Sequence, residues 1–99
     1  MDKIFRALAD KNRRLILTLL KESQLTVGEI VKKLPVGQAT VSTHLSILLK
    51  AKLVNFEAKG KNRIYSMNME VWNELIKHLQ KFTTSTDTRI PDEIILRRK

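Results

Sequence analysis

Two helix signals with a stop between them, followed at once by a basic hairpin, occupy residues 26–65 and restrict the fold more than any other part of this 99-residue chain. Thr26-Val27-Gly28-Glu29 is a capping box. The threonine oxygen can accept the amide three residues on, while the glutamate reaches back to the threonine amide, so a short helix starts at Thr26 and runs to about Lys33. Leu34-Pro35-Val36-Gly37 then ends it, because proline cannot continue a helix and glycine supplies a permissive cap position. From Gln38 the spacing predicts a second helix. At about 100° per residue, Val41, Leu45, Leu48 and Lys52 share a narrow sector with Leu49 at its edge, fit to anchor in a core. Ala39, Thr43, Ser46 and Lys50 lie opposite, with Thr40 and Ile47 beside them. Helix, glycine-containing turn and helix together make a helix-turn-helix.

The outer face of the second helix carries chemistry suited to a DNA groove. Small residues such as Ala39 let a helix backbone approach base edges closely. The hydroxyls of Thr40 and Thr43 can donate or accept, their methyls can touch thymine, and Gln38 can pair bidentately with adenine. A recognition helix presents its N-terminal residues to the bases, which is where these residues fall. Ser42 and His44 sit on the two flanks, where phosphate contacts are expected. A plain amphipathic helix with a soluble, hydroxyl-rich face would look similar, and the hairpin downstream separates the two readings. Leu53–Ala58 and Arg63–Asn68 alternate apolar and polar as half-buried strands do, joined by Lys59-Gly60-Lys61-Asn62, where Gly60 and Asn62 tolerate positive φ. Lys59, Lys61 and Arg63 make this hairpin a cationic wing for the minor groove or its flanking phosphates, with Lys50 as a further phosphate contact.

The charge distribution agrees. The chain carries a formal +9, and residues 32–63 hold seven Lys and Arg against one acid, Glu57. Such a concentrated basic stretch points to a polyanion. No strongly cationic segment with a Trp/Phe face speaks for a membrane surface. With no cysteine there is no disulfide framework, thiolate metal site or cysteine nucleophile. No apolar run reaches the roughly 18 residues of a membrane span, so no membrane insertion is expected. The first residues lack a signal-peptide core, and the expected location is cytoplasmic. Catalysis finds no support either. There is no glycine-rich phosphate loop, and Ser42 and His44, two apart on a helix, do not face each other.

The ends of the chain frame this motif. Residues 3–9 and 11–22 read as helices divided at Asp10, a good N-cap. Ile4, Phe5 and Leu8 stripe the first. Leu15, Ile16, Leu19 and Leu20 stripe the second, with Arg13 and Arg14 outward, open to phosphate or forming a solvated scaffold face. Residues 69–82 form a last helix with Val71, Trp72, Leu75, Ile76, Leu79 and Phe82 at three- and four-residue steps. Such a stripe at the end of a small domain has to cover something. A homodimer is expected, with an interface of Ile4, Phe5, Leu8, Trp72, Leu75, Ile76 and Leu79; folding back on its own core is the alternative. Residues 1–82 then form one DNA-binding and dimerisation domain, and 83–99 a polar C-terminal tail that a regulatory protein partner could engage.

Phe5-Arg6-Ala7-Leu8-Ala9-Asp10, Asn12-Arg13-Arg14-Leu15-Ile16-Leu17, Gln38-Ala39-Thr40-Val41-Ser42-Thr43-His44-Leu45 and Gly60–Tyr65 together closely resemble the ArsR/SmtB-type winged-helix repressors over residues 3–82. The resemblance implies a mainly α fold of five helices with a small β-hairpin wing, homodimerisation through helices at both ends, and a recognition helix in the major groove of an inverted-repeat operator in double-stranded DNA. It also implies repression by occluding a promoter. Many members sense metals through a Cys-x-Cys pair before the turn or Asp/His/Glu ligands in the last helix. Here Thr26 and Gly28 stand at the first position pair, and the last helix offers His78 with Glu70 and Glu74, short of the paired histidines such sites use. No metal site and no cofactor are therefore expected, and thiol redox sensing has no residue to work with. Lys11 replaces a proline common in the family. The principal alternative is a winged-helix module whose main partner is another protein.

Overall fold

A computed structural model of the chain describes residues 1–83. The element order is α1 (Asp2–Leu8), α2 (Lys11–Glu22), β1 (Leu25–Thr26), α3 (Val27–Lys33), α4 (Gln38–Lys50), β2 (Val54–Lys59), β3 (Asn62–Met67) and α5 (Met69–Gln80). This is a winged helix-turn-helix of five helices with a small antiparallel sheet. The C-terminal tail lies, from residue 84 on, outside the described residues.

Asp10 caps α2 by accepting the Arg13 amide at 3.0 Å. The side chains of the same turn reach back over α1, whose last carbonyls lack helical donors. Arg13 Nε donates to Ala7 O at 2.7 Å and its Nη2 to Arg6 O at 3.0 Å, while Arg14 Nη1 donates to Leu8 O at 2.8 Å. Two arginines open to phosphate on the sequence are instead spent at the negative end of a short helix, where cations are favourable.

The capping box of α3 is complete: Glu29 N donates to Thr26 Oγ1 at 3.2 Å and Thr26 N to Glu29 Oε1 at 2.9 Å. Helix α4 starts at Gly37, which adds no side-chain cap, and closes in a Schellman turn. Leu53 N bonds Leu48 O at 3.0 Å and Lys52 N bonds Leu49 O at 2.9 Å, with Lys52 at φ 63°. Lys52 is therefore exposed rather than aligned with the inward stripe, since the helical step ends before it. The apolar contact of the turn is made by Leu48 and Leu53, both fully buried.

The sheet has order β1-β3-β2. Its first strand is a feature the sequence pattern does not announce: Leu25 pairs Tyr65 and Thr26 pairs Ile64. The hairpin runs in register from Val54↔Met67 to Lys59↔Asn62. Gly60, at φ 60°, takes the positive-φ place, and Asn62 does not share it. Positive φ at the first of two loop residues is the pattern of a type II′ turn.

Ile16, Ile30, Val41, Leu45, Leu48 and Leu53 form the heart of the core, where α2, α3, α4 and the sheet converge. Helix α5 is attached differently. Leu75 is its one buried residue. Its start is instead bonded to the end of the α4 turn, Asn68 Nδ2 to Lys52 O at 2.9 Å, Asn68 N to Leu53 O at 3.1 Å and Trp72 Nε1 to Leu53 O at 3.0 Å.

Candidate nucleic-acid interface

Gln38, Ala39, Thr40, Ser42, Thr43, Ser46 and Lys50 are all exposed on α4, because Val41, Leu45 and Leu48 bury the opposite side. Ile47, placed beside this face on the sequence, is partly buried against the core. Thr43 Oγ1 donates to Ala39 O at 3.1 Å, one turn back. Its hydroxyl proton is thereby committed, leaving an acceptor oxygen and a methyl group toward solvent. A base meeting Thr43 therefore meets an acceptor or an apolar contact, which narrows the options to an exocyclic amine or a thymine methyl.

His44 departs from its expected place on a phosphate-facing flank. It is the one buried polar residue of the described chain, 9 % exposed, and its ring is turned onto α2. Nδ1 lies 3.3 Å from Arg13 Nη1, and Nε2 lies 3.9 Å from Asp10 Oδ1. The cause is tertiary: the flank that carries His44 is the one against which the α1–α2 junction packs. The Asp10 carboxyl is held below the ordinary value, first by the Arg13 amide it accepts, with smaller help from the Asn12 amide and from His44 and Arg13, against an opposing effect of burial. Glu29 is lowered likewise by the Thr26 amide and then the Thr26 hydroxyl.

Beside α4 the hairpin exposes Lys59, Lys61 and Arg63. Arg63 lies with its guanidinium carbon 4.5 Å from the centre of the Phe56 ring, which itself tilts against Tyr65 at 5.7 Å. Phe56, Tyr65 and Arg63 share one face of the ladder, since Phe56 is directly opposite Tyr65 and Arg63 is two residues from it. Stacking on the ring braces the arginine while its edge stays free to donate. The wing thus carries a braced guanidinium and two exposed ammonium groups near its tip, with Glu57 farther back on β2 as its one acid.

A second surface is apolar. Phe5, Ile76, Leu79 and Phe82 are exposed, with His78 between Phe5 at 6.3 Å and Phe82 at 6.0 Å. A cleft of about 810 Å³ continues it between α2 and α5, lined by Leu8, Leu17, Trp72 and Ile76 among others. Two residues expected at a subunit interface are not available to one. Ile4 and Leu75 are buried in the protomer's own core, because the stripes of α1 and α5 are broad enough to serve an inner and an outer contact. Leu8 and Trp72 are partly buried against that core. Phe82 is a residue that the sequence reading put in the stripe but left out of the interface.

The residues standing at the metal-ligand positions of the resembled family do not fit a metal. The Thr26 hydroxyl is engaged by the Glu29 amide, and Gly28 has no side chain. His78 lies between two aromatic rings, and among the described residues no three His, Cys, Asp or Glu side chains gather into a cluster. Nor is any described helix long and apolar enough to cross a membrane.

Comparison with known proteins gives concordant matches. Residues 10–55 match the family described as bacterial regulatory protein, arsR family. The transcriptional repressor SdpR of Bacillus subtilis is 33% identical over 87 residues, covering 88% of this chain and 97% of that protein. An ArsR-like transcriptional regulator from Rhodococcus sp. RHA1 superposes with a TM-score of 0.76 at 26% identity, covering 81% of this chain and 73% of the other. The homodimeric winged helix-turn-helix DNA-binding domain of Mb0332 from Mycobacterium bovis superposes with a TM-score of 0.69 at 26% identity, over 80% of this chain and 73% of that one.

Proposed function

Because the chain belongs to the arsR family of bacterial regulatory proteins, and is a DNA-binding transcriptional regulator rather than an enzyme, we propose that it works as a two-fold dimeric repressor of an inverted-repeat operator. One observation carries the reading of the DNA-binding face: a helix whose exposed side holds a glutamine, an alanine and two threonines lies beside a braced cationic hairpin. Gln38, Ala39, Thr40 and Thr43 read base edges in the major groove. Ser42, Lys50, Lys59, Lys61 and Arg63 hold the phosphates or the adjoining minor groove.

The dimer reading rests on the exposed Phe5, Ile76, Leu79 and Phe82, and on the homodimeric state of the Mb0332 domain. A second copy would also close the cleft beside Trp72 and Ile76. Two α4 helices related by a two-fold axis would enter successive major grooves about 34–36 Å apart. SdpR, named a repressor, favours repression as the outcome. Thr26, Gly28 and the ring-enclosed His78 favour release by a signal other than a metal. The test is fluorescence anisotropy against the chain's own upstream region and a scrambled duplex of equal length, at two salt concentrations. Preference for the upstream region by about 10³ or more supports a specific operator. Equal, steeply salt-dependent binding to both rejects it.

A further inference from the structure

The node at which Arg13, His44 and Asp10 meet joins the reading helix to the two N-terminal helices, and none of the three side chains belongs to the DNA-facing surface. A guanidinium has only donors. Arg13 spends Nε on Ala7 O and Nη2 on Arg6 O, and presents Nη1 to the His44 ring. Nδ1 of His44 must therefore be the acceptor, which puts the ring proton on Nε2, facing Asp10 Oδ1 at 3.9 Å. One side chain thus ties the end of α1 to the middle of α4 and fixes a single neutral tautomer of the histidine. The elements packed on α4 are α1, α2, α3 and β2. Among the described residues, Asp10 and Arg13 are the charged groups that bond or pair with the ring; α1 contributes main-chain carbonyls through Arg13, and α3 and β2 contribute no bonded charge.

We infer that His44 and Arg13 are positioning residues for operator reading, and that reading requires His44 in its neutral, Nε2-protonated form. A proton added at Nδ1 would aim a donor at the Arg13 donor and set two positive charges side by side 3.3 Å apart. The Asp10 carboxyl stands on the other side of the ring, 3.9 Å from Nε2 and partly exposed. The contact breaks, and the N-terminal half of α4, which carries Gln38 to Thr43, loses its register to α1 and α2. The inference rests on the DNA-reading role of α4. It also has the opposite sign from a phosphate-contact role: an exposed histidine at the DNA backbone would strengthen binding to every sequence on protonation.

Operator and random-duplex affinities measured at constant ionic strength from about pH 7.5 to 5.5, the range in which histidines ordinarily titrate, decide between these. The expected result is a fall of about tenfold on the operator, the ordinary scale of coupling between two sites. Affinity for random DNA should hold or rise. His44→Asn, whose amide oxygen stands close to the place of Nδ1 and does not titrate, should bind the operator near wild-type strength at the upper pH and give a flat profile. A tighter operator complex at low pH, or a fall that persists in His44→Asn, overturns the inference. Ring-nitrogen NMR of the full chain without DNA tests the node independently of any binding. Nε2–H with a bare Nδ1 is expected near neutral pH, and Nδ1–H would overturn the inference even if operator binding were normal.

Discussion

Lys52→Gly should stabilise the fold, and the size of the effect follows from the turn that ends α4. Lys52 occupies the left-handed position of the Schellman turn at φ 63°. An L-residue pays roughly 1–2 kcal/mol there because its Cβ crowds the following carbonyl oxygen. Glycine removes that strain but gives the unfolded chain more freedom, worth about 0.5–1 kcal/mol in the other direction. The Lys52 side chain is exposed and the group that Asn68 bonds is its main-chain carbonyl, so truncation keeps that hydrogen bond. The net gain is about 0.5–1 kcal/mol. For a domain of this size that raises Tm by roughly 2–8 °C. Thermal unfolding by circular dichroism, with all variants at one protein concentration because self-association of the proposed kind would shift the midpoint, reads it directly. Lys52→Ala supplies the control: it keeps the Cβ and so the strain, and should stay within about 0.5 kcal/mol of wild type. A rise of equal size in Lys52→Ala would show that lost positive charge, not backbone geometry, is responsible. A fall in Lys52→Gly would refute the argument outright.

Other outcomes follow from the same surfaces. Gln38→Ala and Thr43→Ala should each cost about 1–3 kcal/mol on the operator and little on random DNA, by competition anisotropy; equal losses on both would remove them from the reading set. Lys61→Ala should weaken all sequences alike and shrink the slope of log affinity against log salt by about 1. The Ile76→Glu, Leu79→Glu pair should sediment as a folded monomer at micromolar concentration, and an unchanged dimer would place the interface elsewhere. The lowered carboxyls of Asp10 and Glu29 contribute stability that is present above their unfolded values and lost as pH falls through the folded ones. Urea midpoints should therefore drop below about pH 4.5, less steeply in the Asp10→Asn, Glu29→Gln double variant; an unchanged acid limb there would assign the effect to other carboxylates.

What the sequence made legible here is what local chemistry decides. The Thr26–Glu29 box, the Asp10 cap, the Gly60 turn and the Val41, Leu45 and Leu48 part of the α4 stripe each depend on residues within a few positions of one another, and each stands as read. The surprises are all non-local or end effects. A strand of two residues has no periodicity to detect, so the pairing of Leu25 and Thr26 with Tyr65 and Ile64 could not be seen. A helical wheel puts His44 on a flank without saying which flank meets α2. It also counts Lys52 as though the helix continued through it. Ile4 and Leu75 share stripes with Phe5 and Ile76, and nothing in the spacing divides the residues kept by the protomer from those left over.

The exposed residues of α4 also bear on how such a regulator changes its target. Among the described residues, the side chains of Gln38, Ala39, Thr40, Ser42 and Thr43 make no tertiary hydrogen bond or ion pair, and the one side-chain bond they form, Thr43 to Ala39, is internal to the helix. Substitutions at such sites ordinarily move stability by no more than about 0.5 kcal/mol. If α4 reads the operator as proposed, the alphabet that selects it is written on a surface whose letters can be exchanged without unfolding the page. On that reading, new promoters can be acquired, or designed, by editing the four base-reading side chains Gln38, Ala39, Thr40 and Thr43 while the architecture beneath them stays as it is.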